Sequence, residues 1–154
     1  MPLPPFQAVL DEHRDTVARF LVAWVGPQEA EDALQETLIS ALRAYPRLRA
    51  GSNVRAWLLT IARNKAMDSH RARVRRPVLV GEPLDTPSGE EMPEQDDELW
   101  DAVRELPAKQ RAAVTLRFVG DLSHAEIATV LDCSEAAARR SLHEGLTKLR
   151  EEFA

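Results

Sequence analysis

Residues 77–98 carry eight acidic side chains and no Lys or Arg, and this stretch limits the chain to two short folding units. The same segment holds Pro77, Pro83, Pro87, Pro93, Gly81 and Gly89. A segment of that composition buries too little apolar surface to offset the entropy of ordering it, so it reads as a flexible linker. The expected organisation is a domain over residues 1–76, an acidic flexible linker over 77–96 and a second domain over 97–154.

Both parts are punctuated as helices. Aromatic residues make up 5% of the chain and strand-type runs are scarce, which points to an all-α fold of two small helical domains. In the first part, helices are expected over about Pro5–Glu12 and then to Trp24, as two helices or one continuous helix. Gly26-Pro27 stops that run and starts the next, because proline suits a first helical position. The next helix runs to about Ala44, where Tyr45-Pro46 breaks it. Ser52 or Asn53 caps a last helix to about Arg75. In the second part, helices are expected over about Asp97–Glu105, from near Pro107 to before Gly120-Asp121, from Ser123 to about Leu131, and over Glu135–Glu152. Ser123 with Glu126 makes a capping box, Asp132-Cys133 a tight turn, and Ser134 a second cap.

That last pair of helices has the spacing of a helix-turn-helix. Its second helix would present Ser134, Glu135, Ala136, Arg139, Arg140 and His143 to a major groove, where arginine reads guanine bidentately. The alternative is a helical hairpin with exposed arginines. Charge supports nucleic acid despite a net charge of −5. Residues 1–76 hold 12 basic against 8 acidic residues, and Arg55–Arg76 holds 7 basic residues against Asp68 alone. Such a patch acts locally, because salt screens charges beyond about 10 Å at 0.1 M.

The helix from Asn53 is two-faced. Arg55, Leu58, Ala62 and Ala66 share one side. Trp57, Ile61, Asn64, Asp68 and Arg71 share another, suited either to stacking unpaired bases beside Arg63, Lys65, Arg71 and Arg73 or to packing on a neighbouring helix. After Pro27, the buried stripe is Ala30, Leu34, Thr37, Leu38 and Ala41. Asp32, Gln35, Glu36 and Ile39 lie opposite, on a face that is either solvated or docks a protein.

Several classes find no support. The four histidines are scattered, and no catalytic grouping, phosphate loop or metal-ligand spacing occurs, so neither an enzyme nor a bound cofactor or metal is expected. The lone Cys133 makes no internal disulfide. Met1–Pro5 has no basic flank, and no apolar run approaches the roughly 20 residues that span a bilayer. A cytoplasmic protein without membrane insertion is expected.

Asp32-Ala-Leu-Gln-Glu36 resembles the D-x-x-Q-E signature in the second domain of extracytoplasmic-function (ECF) sigma factors of bacterial RNA polymerase. Trp57-Leu-Leu-Thr-Ile-Ala-Arg-Asn64 with Asp68 resembles a later stretch of that domain. Leu106-Pro107 with Gln110-Arg111, and Leu122-Ser123 with Glu126-Ile127-Ala128, resemble the family's fourth domain. The resemblance implies a sigma factor that binds core polymerase and directs promoter recognition, DNA opening and initiation. By position, Asp32, Gln35, Glu36 and Ile39 would meet the β′ clamp helices. The helix from Asn53, with Arg47 and Arg49 in the loop before it, would open and hold the minus-ten element, a flipped base lying by loop 45–53. The final helix would read the minus-35 element near the β flap. An anti-sigma factor is a further candidate partner.

The chain also departs from the family pattern. Asp132 stands where glycine is frequent, Glu135 and Glu144 would repel phosphate, and Gly145 costs the recognition helix about 1 kcal/mol. A one-component repressor and a protein-binding adaptor are the rival readings. The Asp32–Glu36 face distinguishes the repressor, which has no use for it.

Overall fold

The computed structural model describes residues 2–75 and 97–154, and the linker expected over 77–96 lies outside the described residues. Among the described residues there are seven α-helices, one 3-10 turn and no strand.

Helix α1 (Phe6–Val25) is one continuous helix. No Gly or Pro interrupts those residues, and Val9, Val17, Phe20, Leu21 and Trp24 recur on one buried side. Gly26 ends it with φ +86°, a conformation that favours glycine, and its N–H donates to the Val22 carbonyl. Pro27 then opens α2 (Pro27–Ala44). The inward residues of α2 are small, with Ala30, Ala33, Thr37 and Ala41 all buried. That lets α2 close on α1 and α3. The buried Thr37 hydroxyl is satisfied by donating to Ala33 O at 2.7 Å.

Tyr45–Arg47 forms the 3-10 turn. The Tyr45 ring sits between Phe6, at 5.2 Å between centroids, and Trp57, at 6.1 Å, and its hydroxyl donates to Pro4 O. These contacts tie the start of α1 to α3 (Val54–Arg75). Of the two capping candidates, Asn53 is the one used: its Oδ1 accepts from the Ala56 amide at 3.1 Å.

The second part contains α4 (Asp97–Glu105), α5 (Ala108–Phe118), α6 (His124–Leu131) and α7 (Glu135–Glu152). Its core includes Leu116, Leu122, Ile127, Ala138 and Leu142. Gly145 is buried where α7 crosses α5: a Cβ there would come within 2.9 Å of Val114 Cγ2 and 3.4 Å of Gln110 Cβ. The helix-propensity cost of this glycine is therefore tied to close helix approach.

The two parts, separable in sequence, pack on each other. Helix α1 touches α4 and α5, α3 touches α6, and the buried apolar residues of both parts form one cluster.

Gly145→Ala should lower the melting temperature although alanine is the better helix former. Overpacking costs roughly 1–3 kcal/mol against a propensity gain of about 1 kcal/mol. A rise in melting temperature would show that α5 and α7 are not in close contact.

Candidate nucleic-acid interface

Ser123 Oγ accepts from the Glu126 amide at 3.2 Å, and Glu126 Oε1 accepts from the Ser123 amide at 2.9 Å. This is the expected capping box, and it fixes the start of α6. Asp132 ends α6 in the left-handed region, φ 53° and ψ 53°, a conformation that aspartate tolerates at modest cost. Its turn is closed by the Cys133 amide donating to Ala128 O at 3.0 Å. Ser134 Oγ then accepts from the Ala137 amide at 3.0 Å and caps α7. Ala138 and Leu142 are buried under the helix. Ser134, Glu135, Ala136, Arg139, Arg140 and His143 are all exposed. The five residues within the helix follow the spacing i, i+1, i+4, i+5 and i+8, which is one face of a helix.

Three charged groups on or near that face are already engaged. Arg139 Nη2 lies 2.8 Å from Glu135 Oε1. Gln110 Nε2 donates to Glu144 at 3.2 Å, so α5 holds the second carboxylate expected to oppose phosphate.

Helix α3 divides its candidate residues. Asn64 and Asp68 are exposed, whereas Trp57, Ile61, Arg63 and Lys65 are half-buried. Trp57 and Ile61 pack against the core. Of the two uses open to that stripe, packing takes the first two turns and leaves its polar end facing outward. Arg47 and Arg49 are exposed around the loop before α3, where Gly51 supplies a positive φ of +86°. Arg71 and Arg73 lie in the last turns of α3, but their side chains are outside the described residues.

The outer face of α2 has the expected composition, with Asp32, Gln35, Glu36 and Ile39 all exposed. It continues into a residue not anticipated from the sequence. Ile39 is 50% exposed and Leu42, one turn further, 56% exposed. The signal was available, since Leu42 follows Ile39 at i+3.

Polar groups of the two parts meet around the start of α3. Glu126 Oε2 accepts from Asn53 Nδ2, so one carboxylate serves the N-termini of both α6 and α3. Arg55 Nη2 donates to Asp121 O at 3.2 Å. Leu59 reaches Gly120, where a Cβ would lie 2.9 Å from its Cδ1. On the far side, Arg104 Nη1 donates to Val22 O at 3.1 Å, a carbonyl in the last turn of α1. The Arg111 guanidinium sits 5.5 Å from the centre of the Trp24 ring.

Charge states follow from these partners. Hydrogen bonds from the Ser123 backbone and side chain hold the Glu126 carboxyl below its ordinary value, and Asn53 and Arg55 act in the same direction, against a smaller effect of burial. Burial lowers Arg63, with the Cys133 thiol partly offsetting it. Burial also lowers His13, Glu12 opposes that, and Arg55 adds to it. Among the described residues no group of His, Cys, Asp or Glu could hold a metal ion, and no helix is long and apolar enough to cross a membrane.

Residues 9–76 match the family model for sigma-70 region 2, and residues 96–149 the model for sigma-70 region 4. The chain is 39% identical over 144 residues to the ECF RNA polymerase sigma factor BldN of Streptomyces coelicolor, covering 87% of this chain but 54% of that protein. It is 33% identical to the ECF RNA polymerase sigma factor SigX of Bacillus subtilis, over 95% of this chain and 82% of that one. It is 34% identical to the RNA polymerase sigma factor CarQ of Myxococcus xanthus, over 95% and 87%. The fold, both parts included, is similar to that of the sigma factor RpoE of Bartonella quintana in its complex with the anti-sigma factor NepR. The TM-score is 0.77 at 24% identity, over 95% of this chain and 94% of that one.

Because the folded Glu126 carboxyl titrates below its unfolded value, its contribution to stability is complete above about pH 4.3 and is lost as pH falls through the lower, folded value. Glu126→Gln should therefore flatten the acid limb of a stability–pH curve in that window. Superimposable curves for the two proteins would show that the carboxylate is not held by these donors.

Proposed function

From the premise that the chain belongs to the ECF RNA polymerase sigma factors, we propose the following division of work among its surfaces in binding core polymerase and directing promoter recognition, opening and initiation. The outer face of α2, with Asp32, Gln35, Glu36, Ile39 and now Leu42, docks the β′ clamp helices. The observation that carries this is two large apolar side chains left half-exposed beside three acidic or amide groups on one helix face. Burying them on a partner would supply about 25 cal/mol per Å² of apolar area, while the acidic groups select a basic counterpart.

Asn64 and Asp68, with Arg47 and Arg49, hold the melted minus-ten element. Trp57 and Ile61 support that surface from behind, and a base extruded by loop 45–53 costs a few kcal/mol of unstacking that the pocket must offset. Arg71 and Arg73 extend the basic end of α3 towards phosphate. Helix α7 enters the minus-35 major groove through Ser134, Glu135, Ala136, Arg139, Arg140 and His143, close to the β flap. Arg139 is the first choice for a base contact. Its pair with Glu135 is exposed and so costs under about 1 kcal/mol to exchange. The chain works without a catalytic residue or cofactor of its own, in the cytoplasm, and an anti-sigma factor is a candidate regulator.

Asp32→Arg with Glu36→Arg should abolish capture of core polymerase while leaving helicity unchanged by circular dichroism. Capture at the wild-type level would remove α2 from the interface. Arg139→Ala should weaken promoter binding by the polymerase complex by about 1–3 kcal/mol and relax preference at one or two base pairs. Uniform weakening across sequences with a smaller salt slope would mark a phosphate contact instead.

A further inference from the structure

The two arginines on the outer face of α7 are not equivalent. Each has a carboxylate one helical turn away: Glu135 lies four residues before Arg139, and Glu144 four residues after Arg140. The first pair forms and the second does not. Arg139 Nη2 lies 2.8 Å from Glu135 Oε1, whereas Glu144 accepts from Gln110 Nε2 of α5 at 3.2 Å. Arg140 makes neither a hydrogen bond nor an ion pair among the described residues.

The difference has a physical basis. A glutamate N-terminal to its cation at this spacing suits the helix dipole and the side-chain directions, and the reverse order does so less well. Glu135 is itself well placed. It is the first residue of α7, directly after the Ser134 cap, where the helix dipole favours a carboxylate. With two arginines and two glutamates on or beside this face, their charges cancel. General attraction to phosphate is therefore weak here, and selectivity depends on how well a single side chain is aimed.

We propose, on the assignment of α7 to the minus-35 element made above, that Glu135 is a positioning residue for base reading: it holds the Arg139 guanidinium towards a guanine edge and leaves Arg140 to meet phosphate.

Arginine has a long side chain that loses much rotamer freedom when fixed, and a neighbour that fixes it beforehand lowers that cost on binding. The ion pair need not be given up. The contact at Nη2 leaves other donors of the planar guanidinium for the O6 and N7 acceptors of guanine. The carboxylate also offsets the charge of Arg139, which makes a phosphate oxygen a poorer competitor for it than the base edge. Arg140 has no such constraint and is free to follow the backbone. Glu135 thus lowers affinity for DNA in general and raises discrimination at the base pair that Arg139 reads.

The test uses the full chain bound to core polymerase, in competition binding to promoters randomised across the minus-35 element. Arg139→Ala should reduce the preference at one or two base pairs about 5- to 150-fold. Glu135→Gln, which keeps the size of the side chain, should reduce the same preference about 2- to 5-fold while binding to non-preferred sequences holds or tightens. Added to Arg139→Ala, it should reduce that preference no further, because Glu135 acts through Arg139. Arg140→Ala should weaken all sequences alike and lower the salt slope. Equal weakening of every sequence by Glu135→Gln would show a helix-start role alone and overturn the proposal. So would an unchanged preference, or a further loss when Arg139 is already absent. If Arg139→Ala leaves every preference intact, the base-contact reading fails and the positioning role with it. Failure of the positioning role alone looks different, since Arg139→Ala then shifts the preference and Glu135→Gln does not.

Discussion

Helix α3 must satisfy three neighbours at once, and most of the molecule's arrangement follows from that demand. Leu58, Ala62 and Ala66 are fully buried along one side, and Leu59 is equally buried on another. The helix touches α1 and α2 within its own part and α6 across the join. Two buried leucines contribute about 1.5–3 kcal/mol each, and alanines elsewhere allow the neighbouring helices to approach. Little of the first three turns is left to solvent. The polar residues that do face outward, Asn64 and Asp68, lie further along, next to the basic end of the helix.

Local chemistry was legible in the sequence, and distant pairing was not. The capping box at Ser123, the Ser134 cap, the left-handed Asp132 and the Gly26-Pro27 restart each depend on residues a few positions apart, so residue type and spacing suffice to find them. The outward face of α2 was legible for the same reason, through helical periodicity. Apart from Leu42, whose signal is local, what sequence reading missed involves partners far along the chain. Gly145 looks like a weakness until Val114 is seen beside it. Asn53 looks like a cap alone, but its other amide atom binds Glu126, 73 positions away. The stripe from Trp57 to Asp68 was left with two readings. Packing claims its first half, where Trp57 meets Tyr45 and Trp57 and Ile61 lie against the core, and solvent its second, where Asn64 and Asp68 are exposed.

Charge is distributed with the same division. Acidic and amide groups gather on the outer face of α2, where they sit with Ile39 and Leu42. Exposed arginines gather around the loop before α3 and on the first turns of α7. The arginines at the join are occupied differently: Arg55 and Arg104 donate to main-chain carbonyls, and Arg111 lies against an indole ring. Arg104 also pairs with Asp101 at 2.8 Å, within its own helix. In the division of surfaces proposed above, α2 meets protein while α3 and α7 meet nucleic acid, and the join places α3 against α6.

The central claim is that this chain makes promoter opening depend on polymerase. The most direct measurement is permanganate reactivity of thymines across promoter DNA, with core polymerase alone, the chain alone, and the two together. The account predicts reactive, unpaired thymines in the minus-ten region only when both are present. Reactivity that needs no polymerase, or its absence on every promoter of a broad library with both present, would contradict it.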